Sequence, residues 1–352
     1  VFFSPNNNFY YIPRQKFSPS FDLGSGDDAY NEFPAKASGN DCFHAFPNQY
    51  DWYETVKLNY GIDYGNGSTH FSPIPDTWFK MLNILRFWAG KGVDGFRCDM
   101  AHMVPVEFWQ WAISQVKEKY PDIKFIAELY DVHIYRDYIY RGGFDYLYDK
   151  VNLYDTLRGI QCHNISAAQI TGCWQTVEGI ARHMLNFLEN HDEQRFASRE
   201  YAGNAHLVLP SLVVAATINN GPMMIYAGQE LGERAEDAEG FSGRDGRTTI
   251  FDYWGVKTLQ RWYNNGKCNY DHLSADEIQL RETYATLLKL ATREKAICKG
   301  SFFDVMYVNY NNPTFNPHNV YTYIRVYDNE VIVIAVNLSL IHISEPTRHS
   351  LI

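Results

Sequence analysis

Arg97 and Asp99 stand two residues apart in Gly92-Val93-Asp94-Gly95-Phe96-Arg97-Cys98-Asp99-Met100-Ala101-His102. On an extended strand both side chains point to one side. The apolar, glycine-flanked run before them reads as a buried strand. A charged pair at the end of such a strand is costly unless it is paired or used. Arg97 would hold Asp99 ionised, as a carboxylate nucleophile requires. A structural ion pair explains the tripeptide alone equally well.

Two further strand ends carry acids. Glu128 ends Phe125-Ile126-Ala127-Glu128-Leu129, and Asp192 ends Phe187-Leu188-Glu189-Asn190-His191-Asp192. Two converging carboxylates suit glycoside hydrolysis, one as nucleophile and one as protonated acid. The apolar neighbours of Glu128 favour its protonated form, which suits the acid role. Any one of the three alone reads as a surface carboxylate; three at strand ends, one beside Arg97, are harder to dismiss. Metal ligation by His191-Asp192-Glu193 is the weaker alternative, since adjacent residues rarely chelate one ion and no partner cluster is visible.

The elements that must position these acids follow from periodicity. Asp76 reads as an N-cap after Pro75, with Trp78, Met81, Leu82, Leu85 and Trp88 at helical spacing behind it. A strand at 92–100 and a helix opened by Pro105 follow, the latter with Trp109, Ala112, Ile113 and Val116 on one face. Further strands are expected at 124–129, 144–148, 183–189 and 222–227. Helices are expected at 133–141, 205–219 and 279–296, with another helical region before residue 183. Five strands alternating with helices imply a parallel sheet. In a closed parallel α/β barrel the C-terminal strand ends meet at one face, where Asp99, Glu128 and Asp192 would converge.

Residues 1–75 hold seven of the fourteen prolines and little periodicity, as an inserted subdomain of loops and short strands would. Residues 76–299 read as the catalytic barrel portion. Residues 300–340 alternate, with Val320–Val326 and Val331–Val336 as strands of a separate antiparallel unit.

The bulk numbers narrow the class. Hydrophobic content of 45% and charged content of 20% are those of a soluble globular protein. A net charge of −10 argues against nucleic acid as partner. The apolar run Leu207–Ile218 is too short to cross a bilayer. Six cysteines form no CxxC pair, which speaks against structural zinc. Cys98 reads as a core thiol, a Cys162–Cys173 bridge is open, and the compartment stays undetermined.

These motifs resemble the α-amylase family of glycoside hydrolases. Gly95–His102 resembles the family's nucleophile motif, which implies Asp99 as nucleophile, Arg97 as its partner and His102 as a contact on the leaving-group side. Ala127-Glu128 is similar to the acid/base motif. Glu189-Asn190-His191-Asp192 is similar to the motif whose His and Asp bind the sugar, which implies Asp192 as transition-state stabiliser and His191 as a substrate contact. Lys57-Leu58-Asn59-Tyr60 resembles the short motif closing the inserted subdomain, which implies substrate-side roles for Asn59 and Tyr60. Gly221-Pro222-Met223-Met224-Ile225-Tyr226-Ala227-Gly228-Gln229-Glu230 is similar to the motif at the eighth strand.

The resemblance implies an α/β fold: a partial TIM (β/α)8 barrel, strands four to eight, with part of the inserted subdomain and a truncated C-terminal antiparallel β-domain. It implies retaining cleavage of α-1,4-glucosidic bonds in starch or maltooligosaccharides, an α-glucan partner, calcium in the inserted subdomain, and a separation of roughly 5–6 Å between the Asp99 and Glu128 carboxyls. The family's Asp–Asn–His motif near the third strand has no counterpart, so the chain is expected to start within the insertion and, alone, to be marginal and inactive. Ile341–Arg348 looks like a translated sequencing adapter, so 341–352 is expected to be a non-natural tail. The alternatives are a transglycosylase or α-1,6- or oligosaccharide-specific hydrolase of the same family, and a non-catalytic glucan-binding protein.

Overall fold

A computed structural model describes residues 3–23, 30–237, 243–248 and 255–339. The expected tail at 341–352 lies outside the described residues. Two compact units divide the chain: Val1–Phe125 with Tyr140–Phe144, and Ile126–Ile139 with Asp145–Ile352.

The first unit begins with loops pinned by two short antiparallel pairs, β1 (Tyr11–Ile12) with β2 (Ala35–Lys36) and β3 (Ile62–Asp63) with β4 (Ser68–Thr69). Aromatic contacts bind the loops where regular structure is sparse. Tyr10 packs edge-on against Tyr64 at 5.3 Å and donates its hydroxyl to the Ile62 carbonyl at 2.7 Å. Helix α1 (Asp76–Ala89) follows, and its N-cap is Pro75 rather than Asp76. Pro75 supplies the extended entry, so Asp76 becomes the first helical residue and pairs instead with Lys80 one turn on. Trp78 and Leu82 are buried, but Trp88 is half exposed, so the apolar face is narrower than its spacing implies.

Strand β5 (Gly95–Cys98) leads to α2 (Val106–Lys117), which buries Trp109, Ala112, Ile113 and Val116 as expected. Trp78 meets Phe108 at 5.6 Å, edge to face, and joins the two helices. The expectation of a buried strand at 92–100 needs correction. Only Cys98 of β5 is buried, because β5 is the end member of its sheet. Burial pushes the Cys98 thiol up to about 12, as befits a core thiol.

Strand β6 (Lys124–Ala127) runs through the unit boundary. Its Lys124 N–H donates to the Asp94 carbonyl at 3.0 Å in the first unit. In the second unit β6 pairs in parallel with β7 (Tyr146–Tyr148), Ile126 opposite Tyr146. Then β7 pairs with β8 (Met184–Phe187), Leu147 opposite Met184, and β8 with β9 (Met223–Met224), Asn186 opposite Met223. The sheet order β5-β6-β7-β8-β9 is sequential and parallel, the five strands the periodicity implied. Between the strands lie α3 (Tyr135–Tyr140), α4 (Asp155–His163), α5 (Ile170–Thr176) and α6 (Leu209–Thr217). All four residues of β8 are buried, which is why the strand is apolar but for Asn186.

After β9 come α7 (Lys257–Tyr263), α8 (Ala275–Arg293) and α9 (Lys295–Cys298). Ser274 and Glu277 form a reciprocal capping box at the start of α8. Strand β10 (Ser301–Asp304) and helix α10 (Met306–Asn309) precede the hairpin β11 (Val320–Tyr327) and β12 (Glu330–Asn337). This antiparallel sheet is not a separate body. Tyr321 and Tyr323 of β11 share one core with Leu212 and Ala215 of α6 and with Leu280 and Tyr284 of α8. Buried Arg325 closes the seam: Nη1 donates to the Ile218 carbonyl at 2.9 Å, and Nη2 to Ile297 at 2.6 Å and Gly300 at 3.0 Å.

Candidate active site

In the first unit Asp99 follows β5 and pairs with Arg97, and its side chain is 69% exposed. Met100 turns the chain through the left-handed region, φ 43°, into a short 3-10 turn at Ala101–Met103. The Trp109 indole N–H anchors that turn on the Ala101 carbonyl at 3.0 Å. His102, on the turn, lines a cavity of about 460 Å³ with Asn40, Asp41, Trp52, Tyr64 and Met103.

Asn59 and Tyr60 face inward. Asn59 is 2% exposed, and its amide donates to the Ser4 and Asn7 carbonyls at 2.9 and 2.8 Å while its oxygen accepts from Gly61 N–H at 2.9 Å. Tyr60 packs on Phe108 at 4.9 Å. Both hold the loops together. Asp41 is engaged by Lys57, and among the described residues no three His, Cys, Asp or Glu side chains come together to hold a metal.

In the second unit Glu128, immediately after β6, is 2% exposed. The Tyr130 hydroxyl donates to its Oε1 at 2.9 Å. Burial and the charges of Glu128, Asp192 and Glu193 all disfavour ionisation of that phenol. Glu128 and Asp192, distant in the chain, therefore share a neighbourhood around Tyr130.

The turn after β8 is built on buried groups. Asn190 Oδ1 accepts from the backbone N–H of both Asp192 and Glu193 at 2.9 Å, an Asx turn that sets the backbone at Asp192. His191 Nε2 lies 3.1 Å from Asp192 Oδ2, and Arg247 donates to the Asp192 carbonyl at 2.6 Å. Glu193 is taken by Lys150 at 3.1 Å and the Tyr154 hydroxyl at 3.1 Å, so His191-Asp192-Glu193 does not form a metal triad. Beneath the turn, Glu189 pairs with Arg195 at 2.8 Å and accepts from Phe196 N–H at 2.7 Å.

Sequence reasoning passed over Arg195 and Asp149. Asp149 also ends a strand, β7, and the strand-end signal alone would have included it. It is buried and bound by Asn152 Nδ2 and Leu153 N–H, both at 3.2 Å. Burial pushes its carboxyl up to about 6. The six cysteines are free thiols, Cys162 and Cys173 included.

A sequential parallel sheet with helical crossovers and acids at its strand ends defines an α/β-barrel enzyme architecture. The model of the alpha amylase catalytic domain family matches residues 75–250, half of the sequence, and this chain belongs to that family. An alpha-1,4-glucan:maltose-1-phosphate maltosyltransferase of Cereibacter sphaeroides is 28% identical over 170 residues, covering 47% of this chain and 27% of its own length. The chain thus spans about a quarter of that relative.

Among solved structures, the ligand-free cyclic alpha-maltosyl-(1→6)-maltose hydrolase of Arthrobacter globiformis superposes with TM-score 0.60 at 18% identity, over 86% of this chain and 56% of the other. A Nostoc punctiforme debranching enzyme gives TM-score 0.62 at 16% identity, over 95% and 61%. At these identities the likeness is one of fold. No helix among the described residues is long and apolar enough to cross a membrane.

Proposed function

We propose that the protein cleaves α-1,4-glucosidic bonds with retention, by double displacement. Asp99 attacks the anomeric carbon while Glu128 gives its proton to the departing glycosidic oxygen. Glu128 then takes a proton from the incoming hydroxyl, which displaces Asp99. Asp192 and His191 hold hydroxyls of the distorted sugar, and Arg97 pairs with Asp99. The observation that carries this reading is Glu128, buried directly after β6 and accepting the Tyr130 hydroxyl at 2.9 Å, in a chain of this family. A non-catalytic glucan binder would have no need of these acids.

A second reading concerns the acceptor. The matched relatives are named maltosyltransferases, which favours a sugar or phosphate over water in the second step. One experiment addresses both. The full-length protein is given maltooligosaccharides, and new anomeric protons are followed by NMR in the first minutes. An α-anomer formed first supports the proposal; a β-anomer, or no product at all, overturns it. Products longer than the substrate favour transfer over hydrolysis.

A further inference from the structure

We infer that Lys150 is a positioning residue for Asp192, acting through Glu193 to fix the turn that carries both acids. This rests on the sugar-holding role proposed for Asp192. Lys150 opens a π turn, Lys150–Tyr154, directly after β7, and that turn runs on into α4. Lys150, Tyr154 and Arg158 stand four residues apart, which places them on one side of the helical stretch. All three reach Glu193. Lys150 Nζ lies 3.1 Å from Oε1, the Tyr154 hydroxyl donates to Oε2 at 3.1 Å, and Arg158 Nη1 lies 3.7 Å from Oε2. The end of β7 thereby grips the turn after β8.

The grip bears on Asp192 through the peptide that joins it to Glu193. Asn190 Oδ1 accepts from the N–H of that peptide and from the N–H of Asp192, both at 2.9 Å. Arg247 Nε donates to the carbonyl of the same peptide at 2.6 Å. Glu193 is held at its backbone and at its carboxylate, so Asp192 sits between two fixed points. Lys150 supplies the near charge of that anchor, and Asp155 at 2.7 Å orients the ammonium from its own helix. The Lys150 and Glu193 side chains are only 15% and 16% exposed. Charges so placed are screened less than surface ones, and removing one leaves the other short of compensation.

Lys150→Met removes the charge and keeps the stem. In the full-length protein, kcat on maltooligosaccharides is expected to fall roughly tenfold with KM within about threefold, because the group that meets the distorted sugar is loosened. Affinity for acarbose, a pseudotetrasaccharide with a half-chair ring, should fall about tenfold while that for maltotriose holds. Glu193→Gln should lose about as much, and the double variant no more than either single one, since all three break one clamp. Lys150→Arg keeps a cation on Glu193 and should retain the preference for acarbose over maltotriose. Lys150→Met and Glu193→Gln both retaining that preference would overturn the inference, as would a double variant losing the product of the two single factors.

Asp192→Asn separates this inference from the proposed reaction. If it loses the preference for acarbose while the clamp variants keep it, the inference alone falls. If it keeps the preference, Asp192 does not hold the distorted sugar, and the inference falls with that role. A further measurement needs no turnover. Amide hydrogen exchange at Asp192 and Glu193 should quicken roughly tenfold in Lys150→Met and in Glu193→Gln, but not in Lys150→Arg, with exchange along β7 unchanged. Parent-like exchange at the turn in both Lys150→Met and Glu193→Gln overturns the inference whatever the activity.

Discussion

Arg195 Nη1 lies 2.8 Å from Glu189 Oε2, and both side chains are almost wholly buried beneath the turn that carries Asp192. Arg195 also donates to the Ala227 carbonyl at 2.8 Å and stacks over Tyr226 at 4.0 Å, tying the turn after β8 to the chain after β9. Burial pushes the Glu189 carboxyl up, and the Arg195 charge pulls against that. Removing either partner strands a buried charge.

Arg195→Ala is therefore expected to cost about 3–5 kcal/mol in denaturant unfolding. Arg195→Met with Glu189→Leu together should cost less than Arg195→Ala alone, since no charge is left unpaired. A double variant less stable than the single one would show that the pair contributes more than its mutual neutralisation.

Asp149 should make stability depend on pH. Its carboxyl is raised from 3.8 to about 6, so the folded state holds the proton more tightly than the unfolded one. That stability is fully present below pH 3.8 and is lost as pH rises through about 6. Asp149→Asn should remove up to roughly 3 kcal/mol of this pH dependence. Urea midpoints of the parent and variant at pH 5 and 7 check it; equal pH dependence in the two would contradict it.

Exposure separates the proposed nucleophile from the proposed acid in their effects on stability. Asp99 is exposed, so Asp99→Asn should abolish turnover while changing stability by less than about 1 kcal/mol. Glu128→Gln should lower turnover by about 10²–10⁴-fold. Initial rates on maltooligosaccharides, read beside thermal melts, test both; Asp99→Asn retaining full activity would remove Asp99 from the mechanism.

Arg325→Met should loosen the C-terminal sheet. It leaves the Ile218, Ala296, Ile297 and Gly300 carbonyls without their donor in a buried seam, at a cost of about 3 kcal/mol or more. Hydrogen exchange at β11 amides should rise while that at β8 is less affected. Unchanged protection at β11 would mean the hydrophobic core alone holds the sheet.

The sequence by itself determined the strands that matter and the acids that end them. Periodicity of two and of 3.6 residues is local, so β6, β8, α2 and the order of the five strands were legible without coordinates. Glu128 was legible for the same reason, since it directly follows an apolar run, and Asp192 stands four residues beyond one.

Only the tertiary structure decided which of the candidate polar groups are free to act. Asn59 and Tyr60 carry the same residue types as a sugar site, yet partners from distant segments turn them inward. Asp149 ends a strand as Glu128 does, but the backbone folds back and hydrogen-bonds it. Edge position left β5 only partly buried and Asp99 exposed where the apolar run implied burial. Burial and hydrogen-bond satisfaction are sums over neighbours distant in the chain, so no window of sequence contains them.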